Sequence, residues 1–349
     1  MNQYFSEKIK VVSFFSIILV LYIHSGFHDY PHEIAGMQFN FLLQDIISGE
    51  IGRCAVPMFY MISGYLFFLN VESINDVYHK MRKRVHTLLI PYVVACLFFP
   101  LFYLLLEVVP GTKQFVNSAS FSEQLQQPVA DILCSLFYKV KDGGSPYAFH
   151  LWFLRDLILL VCISPILYYL RKHIHKGLIV GCLFLLTLTE IRQYVPVFAA
   201  FWFMAGDAFL IDLKKHKSII ILFLFLGFSI AELSYDSVAW RWLNIPITAL
   251  GVIGLWNLYD CLVGVNFKLK EHSLLKMVCG FTFFIYLFHE PTLNIVRKLL
   301  VVILGNSSFG FAVAYLLSPW LFILIAIPIA VLLKRWLPRF YMLLVGSRN

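Results

Sequence analysis

An all-α membrane protein with about ten spanning helices is the fold this sequence predicts, and three observations carry that prediction. Hydrophobic residues make up 60% of the 349 positions and charged residues only 14%, where soluble domains carry about a quarter charged. The mean hydropathy of +0.78 comes from apolar runs, most of them near the roughly 20 residues that a spanning helix needs. Lysine and arginine gather between alternate runs, which is a topology signal.

The runs lie near 9–28, 47–69, 88–109, 149–170, 177–191, 194–211, 218–233, 240–261, 274–293 and 311–333. With the N-terminus in the cytoplasm, the inner segments hold Lys8 and Lys10; Lys80, Arg82, Lys83 and Arg84; Arg171, Lys172 and Lys176; Lys214, Lys215 and Lys217; Lys268, Lys270 and Lys276; and Lys334, Arg335, Arg339 and Arg348. The alternation persists through all ten runs and places both termini inside. The first run follows Lys8 and Lys10 but leads into no small-x-small cleavage pattern, so it reads as a retained helix rather than a signal peptide. No Gly/Ser/Pro linker divides the chain, and residues 1–349 read as one integral-membrane domain.

Two shorter segments complete the plan. In the outer stretch near 110–148, "PVADILCSLFYKV" has helical apolar spacing and is expected to lie in the membrane interface. "KVKDGGSPYAFH" follows as a turn into the fourth run. The seven cysteines form no Cys-x-x-Cys pair or zinc spacing and read as small buried apolar residues. The net charge of +8 sits in the topology clusters, so nucleic acid is not an expected partner.

Ionisable side chains within spans are costly and point to function. His24 falls roughly 22 Å from the inner edge of the first helix at 1.5 Å per residue, in the outer part of a core about 30 Å thick. Ser13, Ile17, Val20, His24 and His28 share its face by their spacing. The second run, "GRCAVPMFYMISGYLFF", places Arg53 near the same side. Pro57 is expected to break the backbone ladder below it, and Ser63 and Gly64 to permit close helix approach. The fourth run opens on "FHLWFLRD", with His150 and Trp152 at its outer end. The ninth contains "FIYLFHEP", with His289, Glu290 and Pro291 in its outer half. His24, Arg53, His150, His289 and Glu290 therefore converge in depth, as the lining of a polar cavity open to the outer face. Imidazole suits proton transfer, and a guanidinium suits holding an oxyanion.

Plainer readings stand beside these. Histidines at helix ends sit well in the interface, Arg53 has the length to snorkel, and Arg155, Asp156 and Asp207 suit interhelical pairs. "HKMRKRVH" serves either as a topology signal alone or as a patch for an anionic cofactor's phosphates. Ten spans with broken helices and buried charge also suit a transporter or flippase for a glycan or small metabolite, or a membrane receptor.

"VLYIHS", "GRCAVPMFYMISGYLFF", "KMRKRVHTLLIPYV", "FHLWFLRDLILL" and "FFIYLFHEPTL", in this order, resemble the acyltransferase 3 family of bacterial integral membrane proteins over nearly the whole chain. The family typically has ten spans. The resemblance implies transfer of an acyl group, commonly acetyl or succinyl, from acyl-coenzyme A to hydroxyls of surface polysaccharides, lipid-linked sugars or cell-wall glycans. It maps the family's first-helix histidine onto His24, its second-helix arginine onto Arg53, and its basic loop onto Lys80, Arg82, Lys83 and Arg84. Many members carry an arginine eleven residues before the histidine, where this chain has Ser13. The "R-x-A-V-P…SGY" pattern fits a subgroup with small residues there. The expected mechanism makes His24 the base or transient acyl carrier and Arg53 the oxyanion partner. The four basic residues hold coenzyme A phosphates. His150, Trp152, His289 and Glu290 orient the acceptor, and no metal is required.

Overall fold

The computed structural model describes residues 3–27, 36–112, 120–141, 143–210, 218–234, 238–263 and 273–346. His28, Lys214, Lys215, Lys217, Lys268, Lys270 and Arg348, which enter the sequence reading, lie outside the described residues. Helix dominates, as the composition predicts, and no strand occurs among the described residues.

The chain opens with α1 (Gln3–His24), followed by α2 (Met37–Gln44) and α3 (Ala55–Phe68). Next come α4 (Ile74–Arg84), α5 (Ile90–Val108), α6 (Phe121–Gln124), α7 (Val129–Phe137), α8 (Trp152–Cys162) and α9 (Ser164–His173). The remaining helices are α10 (Lys176–Thr187), α11 (Val197–Phe209), α12 (Ser218–Ser234), α13 (Val238–Leu262), α14 (Leu274–Cys279), α15 (Thr282–Leu304), α16 (Ser308–Trp336) and α17 (Pro338–Val345).

Helix underlies each of the ten predicted runs, but length and apolarity divide them. Four helices are long and apolar enough to cross a membrane: Met37–Phe68, Ile74–Val108, Leu243–Leu262 and Ser308–Trp336. A fifth is added if Phe149–Cys162 and Ser164–His173, bent by 58°, count as one. α1 has 22 residues and α15 has 23. They have the length, but α1 carries Glu7, Lys8 and Lys10, and α15 carries Glu290, Arg297 and Lys298. The two helices that bear the polar cluster are thus set apart by their charges.

Three local expectations are revised. The ninth run was expected to end near its proline; instead α15 starts at Thr282 and continues to Leu304. Pro291 has no N–H to donate and disfavours helical geometry in the residue before it. Only Glu290 leaves the helix (φ −107°, ψ 135°), and the chain then resumes. Pro57 stands in the first turn of α3, but the chain ahead of it is already helical, so the Arg53 carbonyl lacks its usual donor. The irregularity lies before it, as a π turn at Asp45–Ile51 and a 3-10 turn at Gly52–Cys54. Of the seven cysteines, Cys54, Cys96 and Cys279 are buried, whereas Cys134, Cys162, Cys182 and Cys261 are exposed on the outer faces of the helices.

α1 runs through the middle of the bundle and packs against α3, α13, α14, α15 and α16. Its first turns are held by Lys8, which is not a solvated topology charge but a buried one. Its Nζ lies 2.6 Å from Asp260 on α13 and over the Trp256 ring. At the other end the Tyr22 carbonyl accepts from Ser48 Oγ of the π turn at 2.8 Å.

α3 and α11 pack closely for a reason legible in two glycines. A Cβ at Gly64 would fall on the Phe203 carbonyl, and one at Gly206 on the Met61 carbonyl. The two backbones touch reciprocally, as small residues allow in membranes. Gly64→Ala and Gly206→Ala are each expected to destabilise the protein by about 1–3 kcal/mol. A lowered thermal midpoint in detergent checks this; unchanged midpoints for both would show that the helices part freely.

Candidate active site

His24 ends α1, and α15 brings His289 and Glu290 to it. The His24 and His289 ring centroids are 4.9 Å apart. His24 Nδ1 stands 3.9 Å from Glu290 Oε1, longer than a hydrogen bond but close enough for a protonated imidazole and a carboxylate to attract. A 3-10 turn at Phe149–Leu151, just ahead of α8, supplies the rest. The Phe149 ring lies 5.6 Å from His24, and His150 meets His289 edge-on at 5.2 Å. His150, His289 and Glu290 are buried and His24 is half-buried. Four of the five residues whose depths agree in the sequence therefore gather in one cluster.

The break at Pro291 orients one of these imidazoles. In an unbroken helix, residue 291 would donate its N–H to the carbonyl four residues earlier. Proline cannot, so the Leu287 carbonyl is left over, and His150 Nε2 reaches it at 3.2 Å. His289 Nδ1 lies 2.5 Å from the Tyr286 carbonyl. A carbonyl only accepts, so each of these ring nitrogens carries the proton. The other nitrogens, His150 Nδ1 and His289 Nε2, then hold lone pairs. Both are buried and without a hydrogen-bond partner among the described residues. Tyr286 Oη ties the frame together by donating to the His150 carbonyl at 2.7 Å. Three imidazoles this close invite a metal, but no group of three His, Cys, Asp or Glu with ligand geometry occurs among the described residues.

Arg53 is not brought to His24, contrary to expectation. Its Nη2 lies 2.6 Å from Glu50 and its Nη1 2.7 Å from Glu232 on α12. Gly52, beside it, faces Ile23, the residue preceding His24. Arg53 thus sits close to the end of α1, but its guanidinium holds two carboxylates rather than His24. Trp152, the first residue of α8, packs half-buried against the main core.

The basic segment on α4 divides as well. Lys80 turns its Nζ to the Leu66 and Leu69 carbonyls, at 3.3 and 3.0 Å, and so closes the C-terminal end of α3. Arg82 and Lys83 are exposed and Arg84 half-buried. Asp207 makes the expected interhelical pairs, with Arg171 at 2.8 Å and Lys176 at 3.2 Å, while Arg155 pairs with its own neighbour Asp156.

The sequence reading missed Arg297. This guanidinium on α15 donates to the Gly26 carbonyl, two residues beyond His24, and to Asn294 Oδ1 at 2.8 Å. The spacing Glu290, Asn294, Arg297 would have placed it on one helix face with the carboxylate, had the ninth run not been ended at the proline. Away from the imidazoles, an apolar cavity of about 450 Å³ lies between α1, α3 and α13, lined by Val12, Leu19, Cys54, Met58 and Leu255 among others.

Residues 8–345 match the model of the acyltransferase domain. The chain is similar to the Succinoglycan biosynthesis protein ExoH of Rhizobium meliloti (strain 1021), at 23% identity over 100% of this chain and 94% of that protein. No solved structure matches. With the family model covering almost the whole chain, the protein is a membrane acyltransferase and belongs to the acyltransferase 3 family.

Proposed function

We propose that this protein moves an acyl group, acetyl or succinyl, from acyl-coenzyme A to a hydroxyl of a surface or cell-wall glycan or a lipid-linked sugar. The placement of His24 beside Glu290 and among the His150 and His289 rings is the observation that carries this reading. Similarity to a succinoglycan biosynthesis protein supports a polysaccharide acceptor. In the ten-span topology the cluster lies toward the outer face of an inner membrane, where such acceptors pass.

His24 takes the proton of the acceptor hydroxyl as its oxygen attacks the thioester carbonyl. The tetrahedral intermediate collapses with cleavage of the C–S bond. The thiolate of coenzyme A leaves and receives that proton from His24. Glu290 faces the imidazolium during this interval and stabilises it. The lone pairs of His150 and His289 accept from further hydroxyls of the acceptor. On the opposite end of the bundle, the exposed Arg82 and Lys83, with Arg84, attract the coenzyme A phosphates. Arg53 braces the wall by tying the turn beside Ile23 to α12.

Purified protein incubated with radiolabelled acetyl- or succinyl-coenzyme A and candidate glycans tests the reading. Free thiol and labelled glycan should appear together, in equal amounts. Movement of a glycan across a vesicle membrane with no thiol release would favour the transporter reading instead.

A further inference from the structure

α1 stops at His24, so the next residues have no helical ladder to hold them, yet they fix where the imidazole points. Ser25 Oγ bonds back to the Leu21 carbonyl at 2.7 Å. The Phe27 N–H donates to Gln44 Oε1 of α2 at 2.6 Å. From the opposite side Arg297 donates to the Gly26 carbonyl, and its guanidinium lies 4.9 Å from the centroid of the Phe27 ring. Phe27 is fully buried, and Arg297 and Asn294 are nearly so.

A buried guanidinium in an apolar helix is expensive unless hydrogen-bonded, and here its bonds run to the turn after His24. Asn294 and Arg297, three residues apart in the part of α15 beyond the break, share one face, and the guanidinium donates to Asn294 Oδ1. The charge of Arg297 also acts electrostatically on both His24 and Glu290. The same helix therefore presents the carboxylate to His24 and grips the chain just beyond it.

We infer that Arg297 is a positioning residue for the transfer reaction, locking the Gly26–Phe27 turn to α15 so that His24 stays in register with Glu290 and His289. This rests on the reading of His24 as the group that takes the acceptor proton. A displacement of about 1 Å in a reacting group is enough to cost roughly 100-fold in rate, so a loosened turn should appear in turnover rather than in substrate affinity.

The test uses the full-length protein in detergent or nanodiscs with acyl-coenzyme A and an acceptor. Arg297→Gln is expected to lower kcat roughly 10- to 100-fold, while KM for both substrates stays within about twofold, since substrate contacts are untouched. Arg297→Lys should recover part of the loss, because an ammonium can hold the Gly26 carbonyl but cannot also fork to Asn294. If Arg297→Gln does not accumulate, Arg297→Lys and Gln44→Leu carry the test. Gln44→Leu frees the same turn from the α2 side and should lower kcat with KM unchanged. Combining Gln44→Leu with an Arg297 variant should lose little more than the larger single loss, because both act on one turn.

Wild-type kcat in Arg297→Gln, or in Arg297→Lys and Gln44→Leu together, would overturn the assignment. So would a raised KM at constant kcat, or fully multiplicative losses in the double variant. His24→Ala separates the two readings. Full activity in that variant overturns the role of His24, whereas its inactivity beside a fully active Arg297→Gln overturns the role of Arg297 alone.

Discussion

His24→Ala is expected to lower transfer by about 100- to 10,000-fold, the usual contribution of a positioned acid–base group. The variant protein should still reach the membrane. The imidazole is half-buried at a helix end and, among the described residues, makes no hydrogen bond that holds two helices together, so its loss leaves the packing of α1 in place. Thiol release from acyl-coenzyme A, measured at matched protein levels, gives the answer. Transfer at a near-normal rate would show that the proton leaves the acceptor by another route. Glu290, His150 and His289 would then be three buried groups in search of a different task.

The second large effect concerns Arg53, and it is expected in stability. Glu50 and Glu232 both face its guanidinium. Arg53→Met would leave two carboxylates together with no cation between them, and removing one partner of a buried pair costs about 3–5 kcal/mol. Arg53→Met should unfold at a markedly lower temperature, and adding Glu232→Gln should restore much of the loss. Below its unfolding temperature the single variant should retain measurable transfer. A variant that unfolds like the parent but transfers nothing would put the guanidinium in the chemistry, as the family motif suggests.

These two residues show how far the sequence could be read. Hydropathy and charge alternation give position along each helix axis, and that was enough to bring His24, His150, His289 and Glu290 to one level. They do not give direction around the axis. Arg53 shares the level of His24 yet faces α12, and nothing in its own helix announces that Glu232 waits there. The same blindness applies to Lys8 and Lys80. Each reads as a solvated inner charge; one is buried against Asp260, and the other closes the end of α3. Arg297 was lost for a different reason. A proline in a helical pattern ordinarily marks an end, and ending the ninth run there removed the very turn that grips the chain beyond His24.

The Leu287 carbonyl that receives His150 belongs to the main chain, and exchanging side chains at position 287 leaves it in place. Sequence drift at that position is therefore free to proceed so long as the replacement fills the same space. The aim of His150 instead depends on the one imino acid four positions onward. Any other residue there would bring an amide hydrogen able to compete for that oxygen, and the imidazole would lose its rest without having been altered itself.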